Sequence, residues 1–317
     1  MTGYILRRLV MMIPVAFFAS VILFALLKLT PGDPVLIQLG EQVTAENYEA
    51  LHRDLGLDQP YPVQYARWVG RVVQGDLGKS IRNGAPVRDE ILARIPATLQ
   101  LGLAAFALSL LVALPLGVLA AIFRRSPLGF FATAFTQAGV SLPSFLVGLV
   151  LIFVFALKLR WLPPGSYVPP SQDFGEWLHR LILPAITLSL FGAATQTRFI
   201  RSGLLDTLHQ DYIRTARAKG LTDWLVIGRH ALRNSLIPSV TLLGLQVGAI
   251  LEGAFITETI FAWPGIGRLA VQALGARDYP LVQAVVLLAV FAFMIANLLV
   301  DVAYAYLDPR INYGRRR

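Results

Sequence analysis

LQLGLAAFALSLLVALPLGVLAAIF, residues Leu99–Phe123, runs 25 residues without a charged side chain and is followed at once by Arg124 and Arg125. A helix of roughly 20 apolar residues spans a hydrocarbon layer of ~30 Å, so this stretch reads as a membrane-crossing helix. Five further runs meet the same test: Leu9–Leu29, Leu128–Leu157, Leu181–Ile200, Ile237–Ile260 and Leu281–Leu307. With 56% hydrophobic residues and a mean hydropathy of +0.61, the chain lies outside the soluble class. Runs of this length suit helices, which satisfy their own backbone in lipid, rather than the short alternating strands of a barrel. The expected fold is all-α integral membrane with six transmembrane helices.

Arg7 and Arg8 before the first run resemble a secretory leader, but the run is too long and ends in TPGDP without a small-x-small cleavage site. It is therefore expected to be a retained span. An even number of spans puts both termini on one side, and the arginines of the short connections say which. That side carries 15 of the 28 Lys and Arg residues: Arg7, Arg8, Arg124, Arg125, seven between positions 198 and 233, and four from Arg310 onward. The termini are thus expected in the cytoplasm. The formal charge of +9 reports topology, and no nucleic acid is needed to explain it.

Residues 1–30 are read as the N-terminus and first helix, 31–96 as the larger external region, and 97–317 as the core. In the external region, TAENYEALHRDLGLDQP predicts a helix capped by Thr44 and stopped at Gly56, and QYARWVGRVVQGDLG predicts a second. Its apolar face is too small to fold alone, so it should pack on the membrane helices. WLPPGSYVPP and AWPGIG predict external turns.

DYIRTARAKGLTDWLVIGRHALRNSLIP, Asp211–Pro238, is a basic passage between two apolar runs. Asp211 is placed to cap a helix through Lys219, with Gly220 as a left-handed stop and Thr222 capping a second helix. Ile213, Ala216 and Gly220 share one face and Arg214 and Arg217 another, so small side chains offer a partner close approach to the backbone. A DNA-binding helix-turn-helix has no room here, because both ends lead straight into spans. An amphipathic loop on anionic membrane lipid, and a docking element for another protein, both fit the pattern.

The chain resembles the membrane-spanning permease subunit of bacterial ATP-binding-cassette importers, in the dipeptide, oligopeptide and nickel branch. The likeness is carried in order by YILRRL (Tyr4–Leu9), TPGDP (Thr30–Pro34), DLGLDQP and GDLG, DYIRTARAKGL, HALRNSLIP, TETIFAWPGIGRL (Thr257–Leu269), RDYPLVQ (Arg277–Gln283) and NLLVDVAYAYLDPRI (Asn297–Ile311). It implies the type I importer permease fold, with a cytoplasmic coupling loop at about 201–236. It also implies that Asp211, Tyr212, Arg214, Thr215, Ala216, Arg217, Ala218, Lys219 and Gly220 form an EAA-type coupling helix that fits a cleft on an ATPase. The motif's glycine falls on Gly220 and its alanine on Ala216. Its leading acid is replaced by Arg214 and its terminal proline by Arg233, a departure that the peptide branch shares.

The implied partners are a second homologous permease subunit, two cytoplasmic ATPase subunits, an extracytoplasmic substrate-binding protein and membrane lipid. The cargo implied by family weight is a di- or oligopeptide, with nickel or another small solute as the alternative. No GxxxxGK[ST] occurs, so ATP and Mg belong to partner subunits and this chain is expected to hold no cofactor of its own. His52, His179, His209 and His230 are scattered over different loops and form no expected metal cluster, and no catalytic constellation is present. A self-sufficient channel or secondary transporter is the rival from another class.

Gln246 and Glu252 in the fifth run are the candidates for lining a translocation path. An ionised carboxylate at mid-bilayer costs ~2.5–3.5 kcal/mol unless its surroundings are polar. Glu252 therefore either meets a cationic group of the cargo or is paired or hydrated near the outer end of its helix.

Overall fold

The computed structural model describes residues 2–29, 34–39, 44–54 and 56–307. Residues 30–33 of the TPGDP motif and the arginines from position 310 onward lie outside them. Among the described residues the chain is helical, with a single isolated bridge between Lys79 and Pro86. In chain order the helices are α1 (Thr2–Leu29), α2 (Pro34–Leu39), α3 (Ala45–Asp54), α4 (Tyr61–Val73), α5 (Val87–Ile122), α6 (Pro127–Ser141) and α7 (Ser144–Leu151), which continues as a π-helix over Ile152–Lys158. There follow α8 (Phe174–Leu208), α9 (Asp211–Ala218), α10 (Asp223–Leu225), a second π-helix (Val226–Ala231), α11 (Leu232–Ser235), α12 (Ile237–Ile260), α13 (Ile266–Gly275) and α14 (Tyr279–Leu307).

Five helices are long and apolar enough to cross a membrane, and the α6–α7 pair makes a sixth if it counts as one span. The third apolar run was expected to be continuous from Leu128 to Leu157. Instead it bends by 109° between α6 and α7. Pro143 is the cause: it has no N–H for a helical bond, and its ring drives Leu142 into the extended region at φ −80°, ψ 127°.

The chain divides into two compact units. One comprises Arg7–Thr98 and Pro264–Met294. Here, among the described residues, the segment after α1 packs back on α1. Tyr65 of α4 hydrogen-bonds Ser20 of α1 at 2.8 Å and sits edge-on to Phe17 and Phe24. Lys28 Nζ donates to Gln64 at 2.6 Å and lies beside the rings of Phe24 and Tyr61, which satisfies a charge at the end of the first span. Buried Asp278 accepts from the Ser80 hydroxyl and from the Ile81 N–H, and Val87, Ile91, Leu269, Leu281 and Val285 close an apolar cluster beside it. The expected caps are present: Thr44 Oγ1 accepts from Asn47 N–H at 3.2 Å, and Gly56 is left-handed at φ +66°.

The other unit comprises Leu99–Trp263 with the two chain ends, Met1–Leu6 and Ile295–Arg317. At the N-terminal end of α8, residues 160–167 form a strap fixed on every side. Ser166 N–H donates to the Phe261 carbonyl at 2.8 Å. The two backbones approach so closely at Gly165 that a Cβ there would collide with the Phe261 carbonyl group, whose carbon lies 2.8 Å away. Arg180 donates to the Gly165 carbonyl at 3.2 Å and to the Ser166 hydroxyl, and pairs with Glu176 at 2.6 Å. Tyr167 packs edge-on against buried Trp263, with ring centroids 4.8 Å apart, while its hydroxyl and the Trp177 indole both donate to Gln100. Arg160, Ser166 and Ala262 all have positive φ, at 55°, 82° and 52°. Each costs a non-glycine residue of order 1–3 kcal/mol, which this contact set holds in place.

Candidate functional site

At the other end of α8 the chain turns through His209 and Gln210 into α9. Gln210, extended at ψ 148°, is the N-cap, and Asp211 is the first helical residue, where it faces Arg214 at 3.5 Å. The expected capping role of Asp211 therefore moves one position back. The carboxylate still favours the positive helix start. The stop is where the sequence put it: Lys219 closes the helix and Gly220 adopts φ +80°, with nothing within 4 Å of where its Cβ would stand. Conformation, and not crowding, is what demands glycine there.

Of the small residues expected to stay open, Ala218 and Gly220 do and Ala216 does not. Ile213 is fully buried and Ala216 is only 7% exposed, packed with Ala121, Leu204, Val226 and Ala231. Leu221 N–H also closes onto the Ala216 carbonyl. The small alanine thus lets α9 approach its own chain. Facing out are Tyr212, Arg214, Thr215, Arg217, Ala218, Lys219 and Gly220. Beside them stands Trp224, 80% exposed, with Leu225 exposed next to it. Arg217 pairs with Asp223 at 3.0 Å, which ties α9 to α10, and Tyr212 accepts from Asn234 at 3.0 Å. Sequence reasoning passed over Trp224. An exposed indole in a passage otherwise chosen for charge was the available signal.

Thr222 occupies the start of the second helix as expected, at ψ 146°, but makes no side-chain cap bond. From there the chain passes into the π-helix Val226–Ala231, which no periodicity in the sequence announced. Widened turns of this kind recur at functional positions in helices.

The two candidates on α12 separate. Gln246 is 6% exposed and lies between helices: its amide donates to Ser109 of α5 and accepts from Gln196 of α8 at 3.2 Å. Gly192 makes room for it, since a Cβ there would stand 2.9 Å from Gln246 Cδ. Such an arrangement is interhelical glue, in which each polar side chain is satisfied by another helix. Glu252 lies on the opposite, open face with Ile256 and Thr259, and among the described residues it makes no hydrogen bond and no ion pair. Glu258, two turns on, is completely buried and partnered. Among the described residues no group of three or more His, Cys, Asp or Glu is placed to hold a metal.

Against known proteins, the chain is 40% identical over 316 residues to the oligopeptide transport system permease protein AppB of Bacillus subtilis, covering 99% of this chain and all of that one. A putative peptide permease protein of Brucella suis is also 40% identical, over 98% of this chain and 99% of its own length. The glutathione transport system permease protein GsiC of Escherichia coli is 39% identical, over 99% of this chain and all of its own. Among solved structures, an inward-facing form of the MetNI methionine ABC transporter superposes with a TM-score of 0.56 at 17% identity, over 69% of this chain and 96% of that one. At that identity the likeness concerns the fold, which is the type I importer permease fold. Residues 1–102 match the N-terminal model of binding-protein-dependent transport system membrane components, and residues 113–313 match the model of the inner membrane component itself. The chain is a multi-pass membrane permease and belongs to the family of binding-protein-dependent transport system inner membrane components.

Proposed function

We propose that this permease forms half of a transmembrane pathway for ATP-driven uptake of di- or oligopeptides, and that α9 with its flanking turn is the element that couples it to an ATPase. The cargo reading rests on relatives that are about 40% identical end to end and are named for oligopeptide, peptide and glutathione transport. Coupling rests on one observation: α9 is cemented to its own chain through Ile213 and Ala216 while Tyr212, Arg214, Lys219 and Trp224 are left outward. A short helix built this way moves as one body with α8 and the segment leading into α12. Force applied to its outer face is then passed to two spans. The complete transporter contains a second homologous permease, two cytoplasmic ATPases that bind ATP and Mg, and an extracytoplasmic binding protein. Both termini and α9 lie in the cytoplasm.

The test is Gly220→Val. A β-branched residue at φ +80° is strained, so it distorts the turn after α9 without touching the spans. The expected result is a variant that inserts and assembles while hydrolysis no longer drives uptake. Unchanged peptide uptake by that variant would remove the coupling assignment, and uptake by the isolated wild-type chain would replace the importer reading with a self-sufficient carrier.

A further inference from the structure

Resting on that reading, we infer that Glu252 faces the aqueous pathway and binds the cationic amino group of the passing cargo. The argument begins with depth. The apolar segment of α12 runs from Leu242 to Ile260. Glu252 stands ten residues from one end and eight from the other, about 15 Å and about 12 Å by helical rise. This is too deep for a two-carbon side chain to reach either headgroup layer by snorkelling.

The second step is the face. Ile250, Ala254, Thr257 and Glu258 turn inward, and Gly253 lies against Leu188 of α8. Glu252, Ile256 and Thr259 form the open stripe on the other side, running from mid-helix to the α12 C-terminus. An exposed carboxylate at that depth cannot rest against acyl chains, so this stripe faces water or another protein. Among the described residues the cations of the spans stand near span ends: Lys28 is bound to Gln64, Lys158 lies at the end of its π-helix over the Phe153 ring, and Arg198 lies beside the Phe199 ring in the last three turns of α8. A mobile cation answers the charge instead, and a cation of a second permease is the alternative that the association test below reads. A peptide brings one, its N-terminal ammonium, and a carboxylate set in low-dielectric walls holds such a group far more strongly than one in bulk water. The site is a single charge on one wall, suited to transient contact rather than to trapping.

The chain contains no cysteine, so Glu252→Cys gives it a single thiol. In the complete transporter in proteoliposomes, with other subunits' thiols blocked, that thiol should react with a cationic methanethiosulfonate faster than with an anionic one. Trialanine should slow the reaction during turnover. Ile250→Cys, facing the interior, and Leu103→Cys, on the exposed apolar face of α5, should stay unmodified. Glu252→Gln should lower trialanine uptake about tenfold or more while assembly and ATP hydrolysis persist, and Glu252→Asp should keep most of it. The inference is overturned if the thiol is unreactive throughout turnover or if Glu252→Gln transports at the wild-type rate. It is equally overturned if Glu252→Gln loosens the association of the two permeases, since the partner of the carboxylate is then a subunit's cation. A wild-type complex that moves no peptide would overturn the proposed function itself, before any variant is made.

Discussion

The two ends of α8 are held in opposite ways. At its N-terminal end the 160–167 strap is over-determined: backbone on backbone at Gly165, the Arg180 guanidinium on Gly165 and Ser166, and two donors on Gln100 hold it although two of its non-glycine residues, Arg160 and Ser166, are in left-handed conformations. At its C-terminal end α9 is held by one small apolar cluster and a few exposed polar contacts, and its far face is open. The strap spends its side chains on the chain itself. The α9 end leaves most of its side chains outward. Both use glycine, for different reasons, since Gly165 answers to a neighbour and Gly220 to its own backbone angle.

That contrast can be broken by substitution. Gly165→Val should have the largest effect on stability, about 3 kcal/mol or more, because the colliding partner is backbone and cannot swing aside. Thermal unfolding in detergent would register it, and a near-neutral result would mean the strap is not packed as described. Gln246→Leu comes next, at about 1 kcal/mol, since it removes the bonds that join α12 to Gln196 and Ser109 and leaves those two only their Ser239 and Phe106 carbonyl partners. Combining it with Gln196→Leu should cost less than the sum of the two, which a double-mutant cycle measures directly. Gly220→Ala should cost about 1 kcal/mol or slightly more, through strain alone. Trp224→Ala should leave stability within ~0.5 kcal/mol, because the indole is already solvated in this chain. On the proposed coupling it should also weaken retention of an ATPase in copurification, as loss of an interface anchor does, and that readout sharpens the comparison most.

The spans were legible because an apolar run of the right length has few alternatives in lipid, and the Gly56 and Gly220 stops were legible because only glycine is at ease at positive φ. Pro143 was equally visible in the sequence, yet an unbroken apolar run on both sides of it hid the 109° bend. Ala216 was read correctly as a close-approach residue and assigned to the wrong neighbour, since small size does not say whether the approaching surface belongs to a partner or to the chain. The π-helix at Val226–Ala231 left no mark on residue periodicity at all.

Composition and run length by themselves determined that this chain crosses a membrane as helices, because the cost of an unsatisfied backbone or charge in hydrocarbon leaves little freedom. They could not decide which way a given side chain faces. Gln246 and Glu252 are six residues apart on one helix, both polar in an apolar run, and interchangeable on the page. Only the packing of α5 and α8 against α12 buries one as a bond between helices and leaves the other open, because facing is a property of neighbours brought together from positions 109, 192 and 196.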